Sequence, residues 1–548
     1  MSSSGFTGRP PAQLQLFLRE CDAALRSGDS ERALRIADEA ASQGLEHPNL
    51  LTLAAHRRMQ MGDDASALTL AARAREMAPR SVDVLNAHGI ALLRLGRARE
   101  ALAAFDAALR AAPGTGMLRF NKALAHEKLG ELDRVKRELE SVVTLMPNHY
   151  EALAWLATLA SQRNDSKATR DYAARALTIN PNVHAATLAI ATVDVADKDY
   201  DAALALLRPL LSDPATTPVN RAVAQSLIGD ALDGLDRPKD AFASYAASQR
   251  SLRDHYAPIF ESTGQEPSDH RVARLTRYFE GADPAQWRAR KSGATKPVHA
   301  FLVGFPRSGT TLLETVLGSH PDIETMEERD ALLDAATTFT GSDEALDRLA
   351  AISPDEAERF RDAYWKAAGA FGHAADKAVF LDKMPLNTIL LPIVAKLFPD
   401  AKILFALRDP RDVVLSCFRR RFGMTAQMFQ LTSLDGAANY YDAVMNLGAR
   451  YRDTLGLDLT ETRHENLLDD FEGETGRLCA FLGVAWRESM KDFAARARTT
   501  TIDTPSGAQI ARGLSREGAG QWRRYAHELA PVLPKLAPWV ARFSYPES

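Results

Sequence analysis

The sequence predicts an α-solenoid of helix-pair repeats followed by an α/β domain with a central parallel sheet. Three observations carry that expectation. A glycine and a proline each recur with a 34-residue step through the first half. Short apolar runs alternate with helical patterns through the second half, which is the signature of strands crossed over by helices. A glycine-rich loop stands between the first such run and the helix after it, so the second domain reads as P-loop-like. A chain of 548 residues is too long for one core. Its 46% apolar and 25% charged residues match folded globular domains. The formal charge of −4 gives no overall attraction to nucleic acid.

The repeats come first. Pro79, Pro113, Pro147 and Pro181 keep the 34-residue step, and so do Gly28, Gly62, Gly96 and Gly130. Ala33, Ala67 and Ala101 follow it too. In "LNAHGIALLRLGRAREALAAFDAALRAAPG" apolar residues recur at helical spacing up to Leu95. Gly96 then stops the first helix by entering the left-handed region at little cost. The second helix ends before Pro113, which cannot continue one. Ala101 falls where two helices cross closely. Later units depart from the pattern. Asn164 and Lys198 hold the glycine register, Val135 and Thr169 hold the alanine register, and the step slips near "SDPATTPVN". The period resembles that of the tetratricopeptide repeat, with about six or seven units. Such stacks offer a concave surface to a peptide or protein partner.

These readings divide the chain into a repeat solenoid at 13–255, a helical junction and linker at 256–297, and an α/β domain at 298–548. The junction is polar and carries one short helical pattern near 271–279. Strand-like runs lie at 298–304, 378–382, 401–409 and 457–465. The longest apolar candidate, "ILLPIVAKLF", is too short to span a bilayer and holds Pro392 and Lys396, so no membrane span is expected. Cys21, Cys417 and Cys479 lie far apart, with no metal-ligand spacing, so no metal site is expected. The N-terminal "MSSSGFTGRPPAQ" lacks a basic stretch followed by an apolar core, and a cytoplasmic location is expected.

The loop in "FLVGFPRSGTTLLETVL" invites an anion. Glycines let the backbone curl with N–H groups inward, and the following helix start adds partial positive charge. Ser308, Gly309, Thr310 and Thr311 line it, and Arg307 places a fixed cation inside. Thr310 stands where nucleoside triphosphatases carry a lysine for the γ-phosphate, so the loop suits a phosphate compound without one.

Two segments together carry a family resemblance. "GFPRSGTTLLETVL" resembles the stretch with which sulfotransferases hold the 5′-phosphosulfate of 3′-phosphoadenylyl sulfate. "LRDPRDVVLSCFRRRF" resembles their stretch for the 3′-phosphate. "GSHPDIETMEERDAL", "LDKMPLN", "TRHENLL", "FLGVAW" and "TPSGAQIARGLSREGAGQWRRY" follow in an order similar to that of tyrosylprotein sulfotransferases and their bacterial relatives, over residues 298–526. The resemblance implies sulfuryl transfer to a hydroxyl, foremost a peptide tyrosine, with 3′-phosphoadenylyl sulfate (PAPS) as co-substrate. It implies Glu328 as the base, with Glu327 beside it. Arg307 and Lys383 would be cations at the sulfate, and Arg408 and Ser416 would hold the 3′-phosphate. His464, Ser506, Gln509 and Arg512 would line the nucleotide. Two departures stand out. Glu327-Glu328-Arg329-Asp330 replaces the family's Glu-Glu-Thr-Arg, and His464 replaces its tyrosine. The run Arg419–Arg421 reads as a solvated face, and Trp522 as a core anchor or cofactor contact. Alternative readings are a carbohydrate or small-molecule acceptor, an ATP-dependent kinase, or a non-catalytic repeat adaptor.

Overall fold

The computed structural model describes residues 12–288, 293, 297–495 and 513–547. It separates into two compact units, Met1–Val193 and Asp194–Ser548.

The first unit is a run of antiparallel helix pairs, beginning Ala12–Arg26 with Ser30–Ser42 and Pro48–Gln60 with Asp64–Met77. The recurring glycines do the work expected of them. Gly28, Gly62, Gly96 and Gly130 adopt φ of 77°, 79°, 75° and 69°. In several turns an aspartate follows and caps the next helix, as Asp29, Asp63 and Asp165 do by accepting from the backbone N–H three residues on. Asn164 holds the same left-handed place at φ 55°. Within the pair, Gly89 leaves room for a ring. A Cβ there would meet Phe105 Cε1 at 2.5 Å.

The second unit begins with the end of the array and continues into the sheet. Lys198 still occupies the left-handed position, at φ 66°. The next turn residue of this kind, Asp236, comes 38 residues later (236 − 198), so the slip seen in the sequence inserts four. Gly229 and Tyr245 repeat the Gly89–Phe105 contact, with a Cβ to ring distance again of 2.5 Å. The last pair, Pro218–Gly234 and Pro238–Ser262, packs directly on the α/β domain. Gln249 donates to the carbonyls of Phe418 (2.7 Å) and Arg420 (3.1 Å). Asp233 accepts from Arg419 (2.6 Å) and from the Tyr525 hydroxyl (2.6 Å). Tyr245 also bonds through its hydroxyl, to Asp230 at 2.9 Å. Arg419 is therefore buried and paired rather than solvated, correcting that part of the reading of the arginine run. Sequence spacing could not show that an aspartate 186 residues earlier would face it.

The region expected as a junction and linker is largely structural. Helix Ser268–Glu280 sends Val272, Leu275 and Phe279 into the core that covers one sheet face, and Trp287 joins them fully buried. A period-3 to 4 apolar stripe in a polar stretch carries that packing.

The sheet has five parallel strands in the order β2-β3-β1-β4-β5. They are β1 (Val298–Gly304), β2 (Ile323–Glu327), β3 (Val379–Lys383), β4 (Lys402–Leu407) and β5 (Asp458–Arg463). Alternation in β1 serves two cores, with Phe301 and Val303 facing one layer and Ala300 and Leu302 the other. β2 was not expected. "IETME" is short and half polar because it forms a sheet edge, where a continuous apolar run is not required. Among the described residues no helix is long and apolar enough to cross a membrane.

Three substitutions test these packing arguments. Lys198→Gly relieves a left-handed side chain and should raise unfolding free energy by about 0.5–1 kcal/mol in thermal melts, since glycine's unfolded-state entropy offsets part of the gain. Asp233→Ala strands a buried guanidinium and should lower stability by about 3–5 kcal/mol. Glu280→Ala, which removes only an exposed ion pair, should stay within about 0.5 kcal/mol.

Candidate active site

All five strands run the same way, so their carboxyl ends gather at one edge, where α/β domains collect ligands. β1 ends in Gly304 and opens the loop, and β2 ends in Glu327, next to Glu328. β3 ends in Lys383. β4 is followed by Arg408, and β5 by His464. The pairing register sets Glu327 opposite Lys383.

The loop curls as its glycine predicts. Gly309 has φ 91° and precedes helix Thr310–Gly318. Arg307 itself has φ 70° and Glu328 φ 42°, two non-glycine residues in the left-handed region. Such conformations cost about 1–3 kcal/mol each and persist where surrounding structure enforces them. Ser308, Thr310 and Thr311 are buried, and Arg307 is half-buried. Arg307 Nε donates to Ser416 Oγ at 3.0 Å, tying the loop to helix Pro410–Arg419. Arg408 donates to the Arg307 carbonyl at 3.1 Å and to the Gly518 carbonyl. It does not pair with either neighbouring aspartate. Asp409 instead takes Arg411, and Asp412 takes the backbone N–H groups of Gly520 and Trp522. Burial, with the charges of Arg420 and Arg408, holds Arg307 below the ordinary arginine range. Cations that crowd one another in this way are relieved by an anion between them.

His464 packs over Gly309, where an added Cβ would lie 2.6 Å from Nδ1. Burial and the charges of Arg408 and Arg307 lower its pKa to about 3, so the ring is neutral. Its Nδ1 and the Nε of Arg408 are buried without a protein partner. Two orphaned polar atoms beside a crowded cation set fit an anionic ligand at this edge.

The second cluster sits at the ends of β2 and β3. Lys383 Nζ donates to Glu328 Oε1 at 2.8 Å and lies 3.5 Å from Glu327 Oε1. The lysine side chain is fully buried, while that of Glu328 is 41% exposed, so an incoming hydroxyl reaches the carboxylate and not the ammonium directly. Arg307 feels the charge of Glu328, which links the two clusters. Asp382 lies behind Lys383, bonded to the Tyr364 hydroxyl at 2.8 Å, and burial raises its pKa to about 7.

The structure thus brings together Arg307, Ser308, Gly309, Thr310, Thr311, Arg408, Ser416 and His464 around the loop, with Glu328 and Lys383 next to it. Ser506, Gln509 and Arg512 lie outside the described residues. Trp522 is a core anchor. Its ring is buried beneath the Arg411 guanidinium, 3.8 Å from the ring centre. Sequence reasoning missed Glu314, which reaches 3.2 Å from Lys383 Nζ. Its signal was a single acid in the otherwise apolar helix "TTLLETVLG". Among the described residues no group of three His, Cys, Asp or Glu could hold a metal ion.

Two family models match parts of the chain. Residues 299–488 match the sulfotransferase family model, and residues 52–114 and 86–134 match the tetratricopeptide repeat model. The chain therefore joins tetratricopeptide repeats to a sulfotransferase-family domain. An uncharacterized protein of Aquifex aeolicus is 22% identical over 414 residues, covering 73% of this chain and 52% of that protein. Protein-tyrosine sulfotransferase A of Caenorhabditis elegans is 24% identical over 259 residues, covering 45% of this chain and 66% of the relative. Protein-tyrosine sulfotransferase 1 of mouse is 33% identical over 142 residues, covering 24% of this chain and 36% of the relative. The chain spans between about half and two thirds of the length of the first two of these relatives.

Gly309→Ala should weaken binding of an anionic probe such as pyrophosphate by about ten-fold or more, because the methyl group strikes His464 and strains the loop. Isothermal titration calorimetry on the full chain measures it.

Proposed function

We propose that the chain moves a sulfuryl group from 3′-phosphoadenylyl sulfate to an acceptor hydroxyl, foremost a tyrosine in a peptide or protein. The observation that supports this most is the pairing of an accessible carboxylate, Glu328, with a sealed lysine, Lys383, beside a phosphate loop that carries Arg307 and no lysine. The donor supplies the activated sulfuryl group. A phenol has a pKa of about 10, so its proton needs a positioned base at neutral pH. Glu328 accepts that proton as the acceptor oxygen bonds to sulfur. The bond from sulfur to the bridging oxygen breaks, and its electron pair stays on the 5′-phosphate oxygen. Arg307 and Lys383 meet the charge that develops there. Arg408, Ser416 and neutral His464 hold the far end of the nucleotide.

The tyrosine acceptor draws support from relatives whose names carry that activity, and from a repeat array of the kind that binds peptides. The exposure of Glu328 suits a large acceptor, since the base is reached from outside.

Purified protein, labelled donor and a panel of acidic tyrosine peptides, sugars and simple phenols test the reading. Transfer to tyrosine peptides is expected. Glu328→Gln should lower kcat by about 10²–10⁴-fold with little change in bisphosphate affinity. Lys383→Ala should lower kcat by about 10²–10³-fold. Transfer confined to sugars or small phenols would displace the tyrosine acceptor. No transfer to any acceptor, together with no bisphosphate binding, would remove the whole assignment.

A further inference from the structure

Lys383 is held by three carboxyl groups from two other elements. Glu328 Oε1 lies at 2.8 Å, Glu314 Oε2 at 3.2 Å and Glu327 Oε1 at 3.5 Å from Nζ. Helix Thr310–Gly318 contributes the first-turn side chains of the loop and also Glu314, while the end of β2 contributes the other two. An ammonium has three N–H bonds, so these partners use them all.

The charges do not balance if every group ionises. One ammonium against three carboxylates leaves two negative charges beside the place where an anionic donor would sit. Buried charge of that kind is strongly unfavourable, and retention of one proton relieves it. The groups differ in access to water. The side chains of Glu327 and Glu328 are 26% and 41% exposed, and that of Glu314 is 7% exposed. Glu314 is the group least able to carry charge.

Resting on the sulfotransferase reading, we propose that Glu314 is a positioning residue for transfer. It keeps its proton and accepts a hydrogen bond from Lys383 only as a neutral oxygen, so the ammonium can exchange this weak partner for the leaving oxygen while Glu328 serves as the base. Its pKa is consistent with this. Burial raises it to about 8, the Lys383 charge opposes the rise, and Glu327 and Glu328 add to it. Above that pH a second carboxylate competes for the lysine that the leaving oxygen needs.

Two measurements on the full chain test this. The first follows carboxyl carbon resonances of protein labelled with 13C-glutamate across pH 6 to 10, in the wild type and Glu314→Gln. A resonance titrating near 8 is expected in the wild type and absent from the variant. The second is the pH profile of kcat. Glu314→Gln, neutral at every pH, should keep kcat within about three-fold at pH 7 and lose the alkaline fall. Glu314→Ala, which removes an acceptor of Lys383, should lower kcat about ten-fold at pH 7, with the KM for donor changed less. A merely structural role would not shift the profile. The absence of any high-titrating glutamate, or the same alkaline limb in wild type and Glu314→Gln, would overturn the proposal while transfer itself stands. A wild type that shows the titrating carboxyl and transfers nothing would instead overturn the sulfotransferase reading, and the kinetic role with it.

Discussion

Parallel strands must all finish on the same side, and the functional half of this protein is organised by that constraint. Five strand ends lie within one row, each about 4.8 Å from the next. Each delivers a different chemical group at its last residue or shortly after it. β1 opens an anion loop, β2 a carboxylate pair, β3 an ammonium, β4 a guanidinium and β5 an imidazole. The five groups come from separate stretches of sequence, and the sheet brings them together. The crowding has electrostatic consequences that each group could not have alone. Burial and the neighbouring arginines depress Arg307, the imidazole is kept neutral, and a lysine is enclosed by acids.

The end of the repeat array is part of this arrangement. Asp233 and Gln249 come from repeat helices, yet they fix the turn after helix Pro410–Arg419, whose Ser416 meets Arg307. Tyr245 shows how a repeat position is adapted for the purpose. It sits where Phe105 sits in an earlier unit, against an equivalent glycine. The added hydroxyl reaches Asp230 and Arg419, so a residue that elsewhere only packs has become a polar contact.

Much of this was legible in the sequence because the physics was local. The 34-residue step predicted where the backbone would turn left-handed, even at Asn164 and Lys198, where no glycine marks it. The loop could be read because glycine, serine and threonine between a strand and a helix have few other uses. What was not legible depended on distant partners. Arg419 looked like one of three exposed arginines until Asp233 met it. Glu314 drew no reading as a single acid in an apolar helix until β3 brought Lys383 beside it. β2 escaped notice because an edge strand does not need a continuous apolar run. The stretch near 271–279 showed its helix, but not that Trp287 and the helix together would close the core.

The place of the final helix pair inside the second unit carries a consequence for how such a chain can vary. Helix pairs in a stack touch mainly their immediate neighbours. The pair Pro218–Gly234 and Pro238–Ser262 has the α/β domain as one of those neighbours, through Asp233 and Gln249. A change on that pair therefore carries into the helix that holds Ser416. The terminal pair is fixed hardware, belonging as much to the sheet's covering helices as to the repeats.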